Sequence, residues 1–259
     1  MWLFVVLLWF VCFIVDCAIL DPIKKKNSKK PFPSEDERRE TTNKMARDYD
    51  DQIQTDEFFM GIYRMRKKLL KRASGSVLEI ASGTGRNLKY YPDSCYQIQL
   101  LDSSDSMIEI SKEKWKKLDK YQNISFQVGS AQNMKFKDNS FDTIVDTFGI
   151  CSFEDPVKVL SEMRRVCKEN GTILLLEHGQ SSYTFLQNYQ AKNLSRHVHN
   201  WGCYFNRDIE GLVKQAGLEI VEKKRYHFGT TYFIVAKPNK STWKVILFHF
   251  IYKRINVKK

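Results

Sequence analysis

The sequence predicts an α/β domain built on an open, mostly parallel sheet that a C-terminal antiparallel hairpin closes. Three observations carry this: strand and helix signals alternate from residue 76 onward, a glycine turn follows the first strand, and the last two strands flank a short turn. The parallel strands are SVLEI (76–80), YQIQLLD (96–102), ISFQV (124–128), FDTIVDTF (141–148) and GTILLLE (171–177). Each is rich in β-branched or large apolar residues and bounded by turn-forming ones. DSMIEISKEKWKKL and DPVKVLSEMRRVCKE between them have the periodicity of amphipathic helices, the second opening on Asp155 as cap with Pro156 at its first helical position. NRDIEGLVKQAG reads as a helix stopped by Gly217, and LEIVEKKRY and GTTYFIVAKP as strands joined by a turn around His227 to Gly229. Ahead of the sheet, DEFFMGIYRMRKKLLKRA places Phe58, Ile62, Met65, Leu69 and Leu70 at helical spacing, which predicts one helix with an apolar face and a solvated basic side.

The length of 259 residues supports one sizeable core with extensions at both ends. Residues 1–20, MWLFVVLLWFVCFIVDCAIL, carry Asp16 as their one charge and match the roughly 20 apolar residues that cross a bilayer. No basic region precedes this stretch, and Asp16 spoils a small-x-small cleavage site, so it reads as an uncleaved transmembrane anchor. Lys24, Lys25, Lys26, Lys29 and Lys30 follow at once and keep the rest of the chain on the positive-inside face. Residues 21–48 have the polar, proline-containing composition of a solvated linker, and the folded domain is expected over 49–238. The tail, 239–259, sets an apolar run from Trp243 to Tyr252 between basic residues, suited either to the headgroup layer of a membrane or to packing on the domain. The net charge of +12 gathers largely around the anchor and tail, which disfavours nucleic acid as the partner.

The six cysteines form no C-x-x-C pair and no dense disulfide framework, so a reduced compartment fits best. His197 and His199 make an H-x-H pair without a third ligand at a recognisable spacing, and no metal site is assigned.

The stretch VLEIASGTGRN (77–87) is a strand that feeds a glycine turn, followed by a helix expected to begin near Arg86. In an open α/β sheet this first turn is where ligands bind. Gly83 and Gly85 let a ligand approach backbone N–H groups, but Leu88 stands where a dinucleotide motif needs its third glycine. Glu79 just before the turn repels phosphate and can pair with an ammonium group, while Asp102 at the end of the second strand can accept both hydroxyls of a ribose. An amino acid joined to a ribose describes S-adenosylmethionine.

EIASGTG (79–85), LLDSSDSM (100–107), FDTIVDTFGI (141–150) and VCKENGTILLLEHG (166–179) together resemble the motifs of class I S-adenosylmethionine-dependent methyltransferases. The Gly-Thr-Gly-Arg-Asn variant, FGICSFEDPVKVLSEMRRV, LLLEHG and HNWGCYFNRDI narrow the likeness to the Oms-type mitochondrial membrane methyltransferase-like proteins. The chain is similar also to microsomal alkyl-thiol methyltransferases and, more distantly, to quinone-biosynthesis C-methyltransferases. The resemblance covers about residues 49–238 and implies a Rossmann-like fold with a seven-stranded sheet and S-adenosylmethionine as cofactor. It implies cofactor binding by Glu79, Ala81, Gly83, Gly85, Asn87, Asp102, Ser103, Met107, Ser130, Ala131 and Thr147. Ser130 stands where such families often carry an acid for the adenine amino group. Phe148, Cys151, His199 and Trp201 are expected to line the acceptor pocket, and His178 and Asp146 are the candidate catalytic groups. Methyl transfer relies mainly on alignment, and Tyr49 or Phe148 is a candidate to stabilise the sulfonium cation.

The function expected is a membrane-anchored methyltransferase for a small lipophilic acceptor, a quinone intermediate, a lipid or a thiol. The alternative is an assembly factor of the same fold that acts through protein partners. The resemblance favours the mitochondrial inner membrane, with the endoplasmic reticulum as the second choice.

Overall fold

The computed structural model describes residues 32–118 and 123–239. Its centre is a sheet of seven strands: β1 (Gly75–Ile80), β2 (Cys95–Asp102), β3 (Asn123–Val128), β4 (Phe141–Thr147), β5 (Cys167–His178), β6 (Leu218–Tyr226) and β7 (Thr231–Pro238). The order is β3-β2-β1-β4-β5-β7-β6, with β1 to β5 parallel and β7 antiparallel to both its neighbours. Strand order reverses between β1 and β4, and the cleft opens there at the C-terminal strand ends.

Among the described residues seven α-helices accompany the sheet: α1 (Glu35–Met45), α2 (Tyr49–Phe59), α3 (Ile62–Leu70), α4 (Asp105–Lys116), α5 (Pro156–Val166), α6 (Thr184–Trp201) and α7 (Ile209–Gln215). Alternate residues of each strand enter opposite cores, as the two-residue period requires. Leu78, Ile80, Ile144, Ile173 and Leu175 pack with Val159, Leu160 and Met163 of α5 and with Val213 of α7. Val77, Val145, Leu174 and Leu176 pack on the other face with Leu69 and Leu70 of α3. Asp155 caps α5 as expected, accepting the Lys158 N–H at 2.9 Å with Pro156 in the first turn.

The structure departs from the sequence reading in several places, among them α6, which fills a segment read without a helix, and Cys167–Glu169, read as the end of a helix and found in β5. Within the expected linker, residues 35–45 form α1, which starts on a capping box between Ser34 and Glu37 and docks through polar contacts, such as Ser104 Oγ to Asn43 Oδ1 at 2.5 Å. It contributes no buried side chain, so composition alone reads it as solvated. The single helix expected before the sheet is two, because Gly61 takes a left-handed conformation (φ 66°) between α2 and α3. No α-helix follows the glycine turn. Only a 3₁₀ turn, Leu88–Tyr90, fits before Pro92, which biases Tyr91 to an extended conformation.

Among the described residues no helix is long and apolar enough to cross a membrane. The expected anchor at 1–20 lies outside the described residues, as does the tail from residue 240.

Candidate active site

The turn after β1 is held in shape by its partner strand. Ala81 (φ 46°), Gly83 (φ 53°) and Gly85 (φ 74°) all take left-handed conformations. A side chain at Gly85 would collide with Ser111 Oγ and Leu88, whereas one at Gly83 would meet nothing within 4 Å. Gly85 therefore closes the turn and Gly83 leaves an approach to it. At the end of β2, Asp102 accepts the Gly83 N–H at 2.8 Å through Oδ2 and the Ser104 N–H at 2.9 Å through Oδ1. The Ser103 N–H also favours the ionised carboxylate, and two carboxylate oxygens offer about four acceptor positions, so capacity for a further donor remains. Burial raises the Asp102 pKa, and the backbone N–H groups work against that rise.

Glu79 lies beneath the turn rather than in the cleft. It is 1% exposed, with Oε1 accepting the Asn87 amide at 2.9 Å and Oε2 the Tyr91 hydroxyl at 2.5 Å. Burial pushes its pKa up to about 7. Asn87 is fully buried and also gives Nδ2 to Thr147 Oγ1 at 3.0 Å while its Oδ1 accepts from Arg66 at 3.1 Å. Glu79, Asn87 and Thr147, expected at the cofactor, thus join a buried network with Arg66 and Tyr91 that braces the turn from inside the protein. Of the other predicted cofactor residues, Met107 and Ala131 are buried, Ser103 is half-buried, and Ser130 is exposed and accepts the Gln132 N–H at 3.2 Å.

Sequence reasoning missed the charged groups that dock α2 and α3 on this turn. Arg66, read as part of a solvated basic face, is 5% exposed and donates to Thr147 Oγ1 at 2.6 Å and Glu57 Oε1 at 2.8 Å. Arg86 bonds Glu57 Oε2 at 2.6 Å and Asp50 Oδ1 at 2.9 Å, and Asp50 also accepts the Thr84 hydroxyl at 2.7 Å. Burial opposes ionisation of Glu57, but Arg66 and Arg86 win and hold its carboxyl below the usual range. Acids and bases at irregular separations leave no periodic signal, although the acidic character of α2 facing a Gly-Arg turn is visible in hindsight. The Arg66 guanidinium also covers the Phe148 ring at 5.1 Å, so that face already serves a cation. Tyr49 has burial as the main cause of a pKa pushed up to about 12, with Arg66, Glu57 and Cys151 among the charges it feels.

Across the cleft, the turn after β4 carries Phe148 in a left-handed conformation (φ 64°) and then Cys151. Two buried carboxyls hold that turn. Glu177 accepts the Phe148 and Cys151 N–H groups at 3.0 and 3.2 Å, and Asp146 accepts that of Ile150 at 2.9 Å. Both pKa values are raised, first by burial and then, for Glu177, by Asp146, so the pair keeps a proton at neutral pH. Asp146 is fully buried, which corrects its expected place as a catalytic group facing the cleft: it positions the loop instead.

His178, at the end of β5, is exposed, with its ring centroid 4.4 Å from that of Phe148. The structure therefore brings Phe148, Cys151 and His178 together. His199 instead lies with its ring 6.3 Å from Phe32 and its Nδ1 2.6 Å from Ser195 O, and Trp201 is 48% exposed at the end of α6. His197 is apart as well, 4.2 Å from the Phe205 ring, with burial lowering its pKa to about 4. Cys203, by contrast, joins the cluster: its Sγ is 3.7 Å from His178 Nδ1.

A glycine turn opened at Gly83, a ribose-type acid at the next strand end and a reversal of strand order define a cofactor site, and the methyltransferase domain family matches residues 78–175 across it. Residues 78–175 form a methyltransferase domain. The cofactor of that family and fold is S-adenosylmethionine. The chain is 40% identical over 218 residues to the Saccharomyces cerevisiae protein "Methyltransferase OMS1, mitochondrial", covering 77% of this chain and 46% of that one. It is 32% identical over 153 residues to the ubiquinone/menaquinone biosynthesis C-methyltransferase UbiE of Psychromonas ingrahamii, covering 56% and 60%. The chain therefore spans about half of the first relative and less than two thirds of the second. Among solved structures, a SAM-dependent methyltransferase of Thermotoga maritima shares the fold with a TM-score of 0.57 at 20% identity, covering 78% of this chain and 99% of that one.

The residues present fit the cofactor. Gly83 faces open space beside an acid with unused acceptor capacity, which suits a ligand that carries hydroxyls.

Proposed function

We propose that this protein is a membrane-anchored, S-adenosylmethionine-dependent methyltransferase acting on a small lipophilic acceptor. The observation that carries the reading is the preformed pairing of Gly83 with Asp102 at the point where strand order reverses. Asp102 would hold the ribose, the Gly83 backbone would face the amino-acid end, and buried Met107 and Ala131 would supply an apolar wall for the base. When bound, S-adenosylmethionine supplies a methyl group activated by its sulfonium. The chain's own part is alignment: the Asp146–Glu177 pair fixes the Phe148–Cys151 turn, and Arg66 braces Phe148 from behind. With Asp146 internal, His178 is the titratable candidate left at the cleft.

Two features support an apolar acceptor and a nearby bilayer. Phe148 and the imidazole of His178 lie ring to ring at 4.4 Å beside the buried Cys151. Exposed aromatic residues also collect on one rim: Phe58 and Phe59 end α2, and the next residue, Met60, bonds through its carbonyl to His227 Nε2 at 3.0 Å. Phe228 follows His227, and its ring lies 6.2 Å from that of exposed Tyr183. Such a rim suits the membrane interface. The names of the relatives support a quinone intermediate as acceptor and the mitochondrion as location.

The test uses the full chain in lipid nanodiscs with S-adenosylmethionine labelled on the methyl. Label is expected in a demethylated quinone analogue more than in a water-soluble phenol, and not with Asp102→Ala or Gly83→Arg. Equal labelling of the phenol overturns the lipophilic acceptor. Full complementation of a deletion strain by the Asp102→Ala, Gly83→Arg double variant overturns the enzyme in favour of an assembly factor.

A further inference from the structure

The cluster beside the cleft has a chemistry that methyl transfer does not use. Cys151, His178 and Cys203 each bring one ligating atom, and these atoms lie within 4.8 Å of one another. They come from three separate elements: the turn after β4, the last residue of β5 and the turn that ends α6. Gly202 stops α6 in a left-handed conformation (φ 68°) and directs the chain inward at Cys203. The Tyr204 N–H then donates to Cys151 O at 2.7 Å, which ties the two cysteine-bearing loops together. Glu177 fixes the Cys151 backbone from the other side at 3.2 Å.

We propose that Cys151, His178 and Cys203 form a three-ligand site for a thiophilic divalent cation, zinc being the ion that two thiolates and an imidazole select. Ligands at about 2.1 and 2.3 Å in a tetrahedral shell stand roughly 3.6 Å apart, close to the separation of Cys203 Sγ and His178 Nδ1. That separation is 3.7 Å. Hard cations that need oxygen donors do not suit this set. Both cysteines are buried and His178, the exposed ligand, stands beside Phe148, so three protein donors leave a fourth position to be filled, as in sites that keep one position open.

The charge balance is favourable. Binding breaks two S–H bonds, releases two protons to solvent and forms two sulfur–metal bonds, leaving a site of near-zero net charge where two free thiolates could not be buried. Without an ion, the Cys203 contact and burial raise the Cys151 thiol well above its usual range. The Arg207 guanidinium acts electrostatically on both sulfurs and favours their ionised form. It is held in place by a bond to Ile150 O at 2.6 Å and by the Tyr204 ring at 4.3 Å. An occupied site makes His178 a ligand rather than a base.

The test is spectroscopic and independent of methyl transfer. Reduced, chelator-stripped full-length protein is titrated with Co²⁺, and the bound Co²⁺ is then displaced by Zn²⁺. One equivalent of Co²⁺ is expected to give thiolate-to-cobalt charge transfer and tetrahedral d–d absorption. Cys151→Ser and Cys203→Ser should each roughly halve the charge-transfer band and weaken Zn²⁺ binding by on the order of 100-fold. His178→Ala should keep the sulfur band and weaken binding at least about tenfold. His197→Ala, His199→Ala and Cys95→Ala should change nothing, and near-ultraviolet dichroism confirms that each variant folds. If either cysteine variant is unfolded, alkylation of the folded wild-type protein replaces it: Zn²⁺ should protect Cys151 and Cys203 and leave Cys95 unaffected. The absence of charge transfer in the wild type, its persistence in a folded Cys151→Ser, Cys203→Ser double variant, or unprotected alkylation at saturating Zn²⁺ would each overturn the site.

Discussion

Asp102 is a side chain fixed before its ligand arrives. Two backbone N–H groups orient its carboxylate, so the ligand does not meet the entropy of ordering it. Asp102→Ala removes charge-assisted bonds that contribute about 1.5–3 kcal/mol each, and isothermal titration with S-adenosylhomocysteine should show affinity falling at least about tenfold. The two glycines of the turn should separate in the same assay. Gly85→Ala puts a methyl into Ser111 and Leu88 and should lower the melting temperature sharply. Gly83→Ala meets no neighbour, carries a conformational cost of about 1–2 kcal/mol, and should lower ligand affinity more than stability. This distinction is invisible in the string Gly-Thr-Gly, where both residues look equivalent.

At the scale of elements, α2 and α3 show where periodicity stops being informative. The apolar positions correctly mark Leu69 and Leu70 as core, but Phe58 is 64% exposed and Arg66 is interior. A buried arginine looks like a surface one until its partners are known, and here they are Glu57, Asn87 and Thr147 from three different elements. Side-chain exposures of 6% and 13% for Arg66 and Glu57 put this pair in the range where loss of one partner costs about 3–5 kcal/mol. Arg66→Met is expected to lower the urea midpoint accordingly and to expose α2 to limited proteolysis ahead of the rest of the domain. Arg72→Met, whose guanidinium bonds Glu222 with 31% and 30% side-chain exposure, should cost less than about 1 kcal/mol in the same measurement.

At the scale of the molecule, buried acids set how stability follows pH. Glu79 ionises near 7 in the fold against a usual 4.5, and the Asp146–Glu177 pair is shifted the same way. An acid raised by folding binds more protons in the native state. Its contribution is therefore complete below pH 4.5 and is lost as pH rises towards about 7. Asp50 and Glu57 are depressed and act oppositely, losing their contribution as pH falls below the usual carboxylate range. Urea unfolding of wild type and Glu79→Gln should thus show the variant gaining relative stability between pH 4.5 and 7, by roughly 3 kcal/mol at most. The sheet as a whole was legible in the sequence, since all seven strands fall where alternation and turn residues put them. The cofactor turn and Asp102 were legible too, because a strand, a glycine turn and an acid are local patterns. Cys203 beside Cys151 and His178, and the carboxyls under the Phe148 turn, were not, because only the closed sheet brings residues so far apart in the chain into contact.

The way α2 is attached has a kinetic consequence. This helix has no buried side chain, and it is fastened to the glycine turn by Asp50 and Glu57 through Arg66, Arg86 and Lys114. The pairs to Asp50 are partly exposed, with side-chain exposures of 19% to 31%, so salt screens them more than it affects the apolar core. Ionic strength should therefore act as a throttle on traffic: both the entry and the escape of a ligand at the turn quicken as salt rises, while the melting temperature of the sheet barely moves.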